Sequence, residues 1–221
     1  MSLAERVTYS RGMNFSLFAV HLSDGAMSVP WVAAGWVGLA LLLVPALWRL
    51  REEDVPRIGV LSAAFFVGSS IHVPLAVVPT SVHLILNGLV GVVLSRRAPL
   101  AITVGLLLQY LLLAHGGLTT LGLNACIITV PAVLAGAAYP VLARAGVPPF
   151  GRGAVLGAGA AAGAVALNFA ALLLGGAEDW QLLARLVLLA HLPVVVVEGV
   201  LLGVVVRYVE KVKPEMLTAG R

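Results

Sequence analysis

Seven apolar runs follow one another along the chain, each bounded by charge or by Gly and Pro. The first, Val32 to Leu50, ends at the cluster Arg49, Arg51, Glu52, Glu53, Asp54, Pro56 and Arg57. The second, Ile58 to Val73, passes into a stretch ending at Ser81 in which Pro74 and Pro79 break helical continuity. The third, His83 to Leu94, is short for a crossing, is completed by a first turn at Thr80–Val82, and stops at Arg96 and Arg97. Leu100 to Leu113 and Leu118 to Leu142 follow, separated by Ala114-His115-Gly116-Gly117. The sixth run, Ala154 to Leu174, is rich in Ala and Gly, the composition of a helix that packs closely against its neighbours. The seventh, Leu182 to Val206, leads into a basic tail. A helix needs ~20 apolar residues to cross ~30 Å of hydrocarbon. The pattern therefore predicts an all-α integral membrane protein, a bundle of seven transmembrane helices.

The charges orient it. The turns after runs one, three and five and the C-terminal tail hold eleven Lys and Arg: Arg49, Arg51, Arg57, Arg96, Arg97, Arg144, Arg152, Arg207, Lys211, Lys213 and Arg221. The other turns and the N-terminal segment hold three, Arg6, Arg11 and Arg185. The positive-inside rule then places the N-terminus outside and the C-terminus in the cytoplasm, in a multi-pass protein of the inner (plasma) membrane. Residues 1–20 read as an N-terminal extension whose stretch Asn14 to Val20 is too short to span; 21–217 form one membrane domain and 218–221 a tail.

Composition agrees: 60% of the 221 residues are hydrophobic and 11% charged, far from the ~25% charged of soluble domains. The net charge of +4 reflects topology and not nucleic-acid binding, and the lone Cys126 supplies no disulfide and no CxxC motif. Candidate chemistry lies with five histidines. His21, His72, His83 and His115 fall on the N-terminal segment or on outer turns and their flanks, whereas His191 falls well inside the last run. Imidazole is a good ligand for late first-row metals, although a lone interfacial histidine also serves simply as a hydrogen-bonding group. His191 and Glu198 are seven residues apart and share a helix face; Glu198 either relays protons or accepts a hydrogen bond from a neighbouring helix.

Several stretches together resemble the CbiM/NikM family, the substrate-capture membrane components of energy-coupling factor (ECF) importers for cobalt and nickel. They are His21-Leu-Ser-Asp-Gly25, Val78-Pro-Thr-Ser-Val-His83 with its continuation to Gly88, Gln109 through Asn124, His191-Leu-Pro through Glu198-Gly199, and Lys213-Pro-Glu-Met216. The resemblance implies that the N-terminal segment tucks in from outside and wraps one Co2+ or Ni2+, as transported substrate, in nitrogen donors. His21 matches the family's N-terminal histidine and His83 its later one; His72 is the third candidate donor. His72 stands where the family often has an Asn, and His115 where it often has an Asp, so both match less well. In the family the free amine of the preceding residue is also a donor. Here that residue is Val20, whose nitrogen is a peptide amide unless the chain is processed. Removal of the leader, another donor such as His72, or weaker binding each accommodates the difference.

There is no GxxxxGK[ST] loop, so the chain is not expected to be an enzyme that hydrolyses ATP. The resemblance implies partners: a transmembrane coupling (T) subunit, paired cytoplasmic ATPase subunits and a small accessory membrane protein. Gly59, Ala63, Ala64 and Gly68 offer a smooth face for the coupling subunit or for packing within the bundle. Two other classes compete. An intramembrane zinc hydrolase lacks HExxH and would need Glu198 to reach an outer histidine cluster from deep in a span; an autonomous secondary transporter or channel would show matching broken helices in two halves.

Overall fold

The computed structural model describes residues 21–71, 73–74 and 81–217. Among these described residues are eight α-helices: α1 (Val29–Leu47), α2 (Val55–Ser70), α3 (Asn87–Leu94), α4 (Ala98–Leu113), α5 (Leu121–Arg144), α6 (Pro149–Gly175), α7 (Gln181–Ala190) and α8 (Leu192–Val212). Five of them carry Pro at one of their first two positions: Pro30, Pro56, Pro99, Pro149 and Pro193. There the missing N–H is one that no helix could pair, and the fixed φ favours helix entry. A two-stranded antiparallel ribbon, β1 (Val73–Pro74) with β2 (Ser81–Val82), joins α2 to the next segment.

Among the described residues five stretches are long and apolar enough to cross a membrane: Val29–Leu47, Asn87–Leu113, Leu121–Arg144, Pro149–Gly175 and Gln181–Val212. This is the build of a multi-pass membrane protein. The second stretch is not one straight rod. A 27-residue helix would be about 40 Å long, yet the rings of His83 and His115, which flank its two ends, have centroids 5.9 Å apart. The chain reverses at Ser95, whose φ of 49° and ψ of −122° end α3, and α4 returns antiparallel to it. The last stretch is also interrupted, at His191 between α7 and α8.

These breaks correct two expectations. The third apolar run is helical only from Asn87 onward, and Ser81–Val82 pair as strand where a first helical turn was expected. The last run is two helices where one was expected, and His191 sits at their junction, within the apolar stretch Gln181–Val212.

Without a hydrophobic drive between helices in lipid, close backbone approach supplies the packing. A Cβ on Gly91 of α3 would lie 1.9 Å from the Ala132 carbonyl oxygen of α5, and one on Gly136 would lie 2.3 Å from that of Gly91. On α6, a Cβ at Gly153 or Gly157 would meet the carbonyl oxygens of Leu202 or Glu198 on α8 at 2.4 and 2.5 Å. The Gly- and Ala-rich sixth run is thus a packing helix, as its composition predicts. The small residues of α2 divide: Gly68 packs on Leu86, whereas Gly59, Ala63 and Ala64 face outward. Exposed apolar side chains such as Val37, Leu41, Leu134, Val155 and Val196 cover the outside of the bundle.

The two ends of the bundle differ. At one, buried Arg97 pairs with Asp54 and donates to the Arg49 carbonyl, and Arg152 pairs with Glu210 at 2.7 Å beside Tyr139. At the other, beyond the C-terminus of α4 and the N-terminus of α8, the histidines gather.

Candidate metal centre

Three chain segments meet at that end. The first is the N-terminal strap His21–Ser28. Its Leu22 N–H donates to Asn124 Oδ1 at 2.8 Å, while the Leu22 carbonyl accepts from Thr120 Oγ1 and Asn124 Nδ2 at 2.6 and 2.9 Å. Asp24 accepts the N–H groups of Leu118 and Thr119 at 3.1 and 2.8 Å and the Thr119 hydroxyl at 2.5 Å. Burial raises the Asp24 carboxyl, but these donors outweigh it and hold the group below its ordinary value. Further along, Ser28 N–H donates to the Gly175 carbonyl at 2.8 Å, and the Ala26 carbonyl accepts from Ala177 and from the Trp180 indole. The strap is therefore stitched between the α4–α5 and α6–α7 loops. Gly117 makes this possible, because a Cβ there would lie 2.3 Å from Asp24 Oδ1.

The second segment is the irregular stretch His83–Leu86, which ends on a left-handed Leu86 with a φ of 52° and leads into α3. Its exposed-by-unwinding N–H groups at Ile85 and Leu86 both donate to Glu198 Oε1, at 2.5 and 2.8 Å. Glu198 is 1% exposed. A carboxylate in so buried a place needs donors, and an unwound backbone at that depth needs an acceptor; each answers the other. Asn87 adds a tie, donating to the Ile128 and Ala160 carbonyls of α5 and α6. The third segment follows α4, where Ala114 takes a left-handed φ of 50° and His115 N–H donates back to the Gln109 carbonyl at 3.1 Å.

These segments deliver His21, His83 and His115 to one spot, at 2%, 3% and 7% exposure. One ring nitrogen from each lies within 4.8 Å of the others. Ring centroids are 5.0 Å apart for His21 and His83, 4.7 Å for His21 and His115, and 5.9 Å for His83 and His115. With N–metal bonds of ~2.0–2.1 Å, two imidazoles on one ion have centroids about 4.5 Å apart at a right angle and about 6.4 Å when opposite. All three pairs fall within that range. His83 Nδ1 lies 2.8 Å from the Leu84 carbonyl oxygen, which can only accept; Nδ1 therefore carries the proton, and the lone pair is on Nε2.

The sequence-derived candidates thus divide. His21 and His83 meet. His72 lies outside the described residues. His115, a weaker match to the family pattern than His21 or His83, is the third member of the cluster; the Ala-His-Gly-Gly punctuation marked its turn but not its direction. His191 is not remote either, since its ring centroid is 6.5 Å from that of His83. Glu198, expected deep in a span and away from the outer histidines, instead holds the backbone two and three residues beyond His83.

A family profile described as "Cobalt uptake substrate-specific transmembrane region", CbiM, matches residues 21–216. The chain belongs to the CbiM family. The match begins at His21, the first residue of the strap. Among relatives, a Haemophilus influenzae protein named for metal transport is 35% identical over 204 residues, covering 90% of this chain and 97% of its own. A fused protein CbiMQ of Methanocorpusculum labreanum, named for cobalt transport, is 30% identical over 222 residues, 90% of this chain but 36% of its own length. The CbiM chain is also similar in fold to a crystal structure of a transition metal transporter, with a TM-score of 0.77 at 24% identity over 87% of this chain and 93% of that one. These relatives are named as transport proteins and not as enzymes.

Proposed function

We propose that this chain captures Co2+ or Ni2+ at the outer face of the inner membrane and is the substrate-specific component of an ECF-type importer. The observation that carries the reading is the buried triad of His21, His83 and His115, drawn from three separate segments onto one point. Neutral imidazoles suit late first-row divalent ions, whereas Mg2+ and Ca2+ prefer oxygen ligands. Intrinsic affinity alone would favour Cu2+, so geometry and metal availability select Co2+ or Ni2+.

In this reading the chain crosses the bilayer seven times. α1, α2, the segment 83–94 with α3, α4, α5, α6 and the broken α7–α8 rod are the crossings, with the N-terminus outside. The Arg97 and Arg152 end then faces the cytoplasm, in agreement with the basic bias of its turns. ATP hydrolysis belongs to partner subunits, reached through a transmembrane coupling subunit and assisted by a small accessory membrane protein. That a cobalt-transport relative carries a CbiM-like part within a longer fused chain supports such a partnership.

The test is direct. Purified protein is expected to bind one Co2+ or Ni2+ per chain, and His83→Ala or His115→Ala to lose it. Metal uptake in cells is expected to require the coupling and ATPase subunits; accumulation without them would favour an autonomous transporter or channel.

A further inference from the structure

We propose that the groove between α5 and α6 binds an anionic phospholipid, with an acyl chain lying over Gly159 and the phosphate among the basic side chains at the groove's end. The inference is independent of the metal centre and of the capture reading.

The groove is a cavity of about 530 Å3 on the outside of the bundle. Ala135, Leu156 and Ala160, all buried, form its floor, and Leu134 and Val155, at 64% and 61% exposure, stand at its rims. Every residue that lines it is apolar. Gly159 separates this surface from ordinary helix packing. Elsewhere on α6 a Cβ at Gly153, Gly157, Gly163 or Gly175 would meet a neighbouring segment at 2.4, 2.5, 3.0 or 2.3 Å, whereas one at Gly159 would meet nothing within 4 Å. Glycine inside a helix is destabilising relative to alanine. Among the described residues no neighbour calls for it at this position; an occupant of the groove does.

Length and charge select that occupant. From Val155 to Leu167 the groove follows α6 for about 18 Å, close to one leaflet's half of the ~30 Å hydrocarbon core. A partner helix would lie along the whole core, whereas the groove stops at Leu167, short of the far end of α6 at Gly175. Its near end is basic. Arg144 closes α5 six residues beyond Ala138, and α8, whose Gly203 packs on Phe150, brings Arg207 and Lys211 to the same end. These three side chains are exposed and form no ion pair among the described residues, while Arg152 is neutralised by Glu210 at 2.7 Å. Uncompensated bases at the mouth of an apolar slot between helices suit a phosphate that carries an acyl chain, and a net negative headgroup above a zwitterionic one.

The full chain in mild detergent, titrated separately with phosphatidylglycerol and phosphatidylcholine and followed by native mass spectrometry, tests the proposal. One phosphatidylglycerol per chain is expected to bind at least tenfold more tightly than phosphatidylcholine; equal affinities overturn the site, because lipid then merely surrounds the helices. Gly159→Leu fills the groove where no neighbour is met, and is expected to abolish the preference with helical content by circular dichroism unchanged. Gly59→Leu, whose Cβ on α2 also meets nothing within 4 Å, is expected to leave it intact. A preference that survives Gly159→Leu puts the lipid elsewhere and overturns the proposal. Arg144→Gln is expected to cut the preference at least threefold; no change overturns the placement of the phosphate. In cell membranes that contain the transport partners, a photoreactive probe attached at Leu134→Cys in a Cys126→Ser background is expected to cross-link to phospholipid. A cross-link to another protein chain overturns the proposal and assigns the groove to that chain.

Discussion

Asn124 holds the peptide of Leu22 on both sides, its Oδ1 accepting the Leu22 N–H and its Nδ2 donating to the Leu22 carbonyl. Asn124 is in the first turn of α5, and Leu22 follows His21 directly. A single amide thereby sets where the His21 ring emerges. Asn124→Leu removes both bonds and leaves the Leu22 N–H without a partner, at a cost of ~1–3 kcal/mol, while the Leu22 carbonyl keeps the Thr120 hydroxyl. Since about 1.4 kcal/mol is tenfold in affinity, Co2+ titration of this variant is expected to show roughly tenfold weaker binding with helical content unchanged.

Glu198 gives a contrast between two substitutions. Glu198→Leu strips the acceptor from the Ile85 and Leu86 N–H groups. Each orphaned donor costs ~1–3 kcal/mol, so the thermal midpoint in detergent is expected to drop. Glu198→Gln retains an acceptor oxygen and should lose clearly less. Equal losses would mean that the carboxylate serves some purpose other than holding this backbone.

Asp24 sets an acid limit on the strap. Its folded carboxyl is held below the ordinary value of 3.8, so the ionised form is the one the fold favours. Its contribution is present above 3.8 and is lost as pH falls from there through the lowered folded value. Hydrogen exchange at residues 22–28 is expected to accelerate across that acidic window in the unsubstituted protein. In Asp24→Asn the strap should already exchange faster at neutral pH, with no further step attributable to this position.

The glycines separate packing from permissive surface. Gly91→Ala would place a Cβ 1.9 Å from a backbone oxygen of α5, which cannot move without shifting the helix. Overpacking of this kind typically costs ~1–3 kcal/mol. Gly59→Ala meets nothing within 4 Å and is expected to leave the thermal midpoint unchanged or slightly raised.

Much of this architecture is legible in the order of residues. Apolar runs mark the helices because each must fill hydrocarbon. Prolines at Pro30, Pro56, Pro99, Pro149 and Pro193 mark helix starts for a local steric reason. His21 and His83 were recognisable as candidate donors from the stretches around them. Helix boundaries at 83–86 and at 191 were not, because continuous apolar sequence reads as helix unless something distant compensates an unwound backbone. Here that compensation is Glu198, more than a hundred residues away from Ile85 and Leu86.

What the chain's composition and pattern determined alone is its solvent: a greasy set of helices has no other stable home than a bilayer, whatever their arrangement. Which imidazoles share a point was decided only in three dimensions. His115 reaches His21 and His83 because α4 folds back on α3, and His191 comes beside His83 alone, where α7 gives way to α8. Those are encounters between residues far apart along the chain, and helical periodicity, which relates positions three or four apart, carries no information about them.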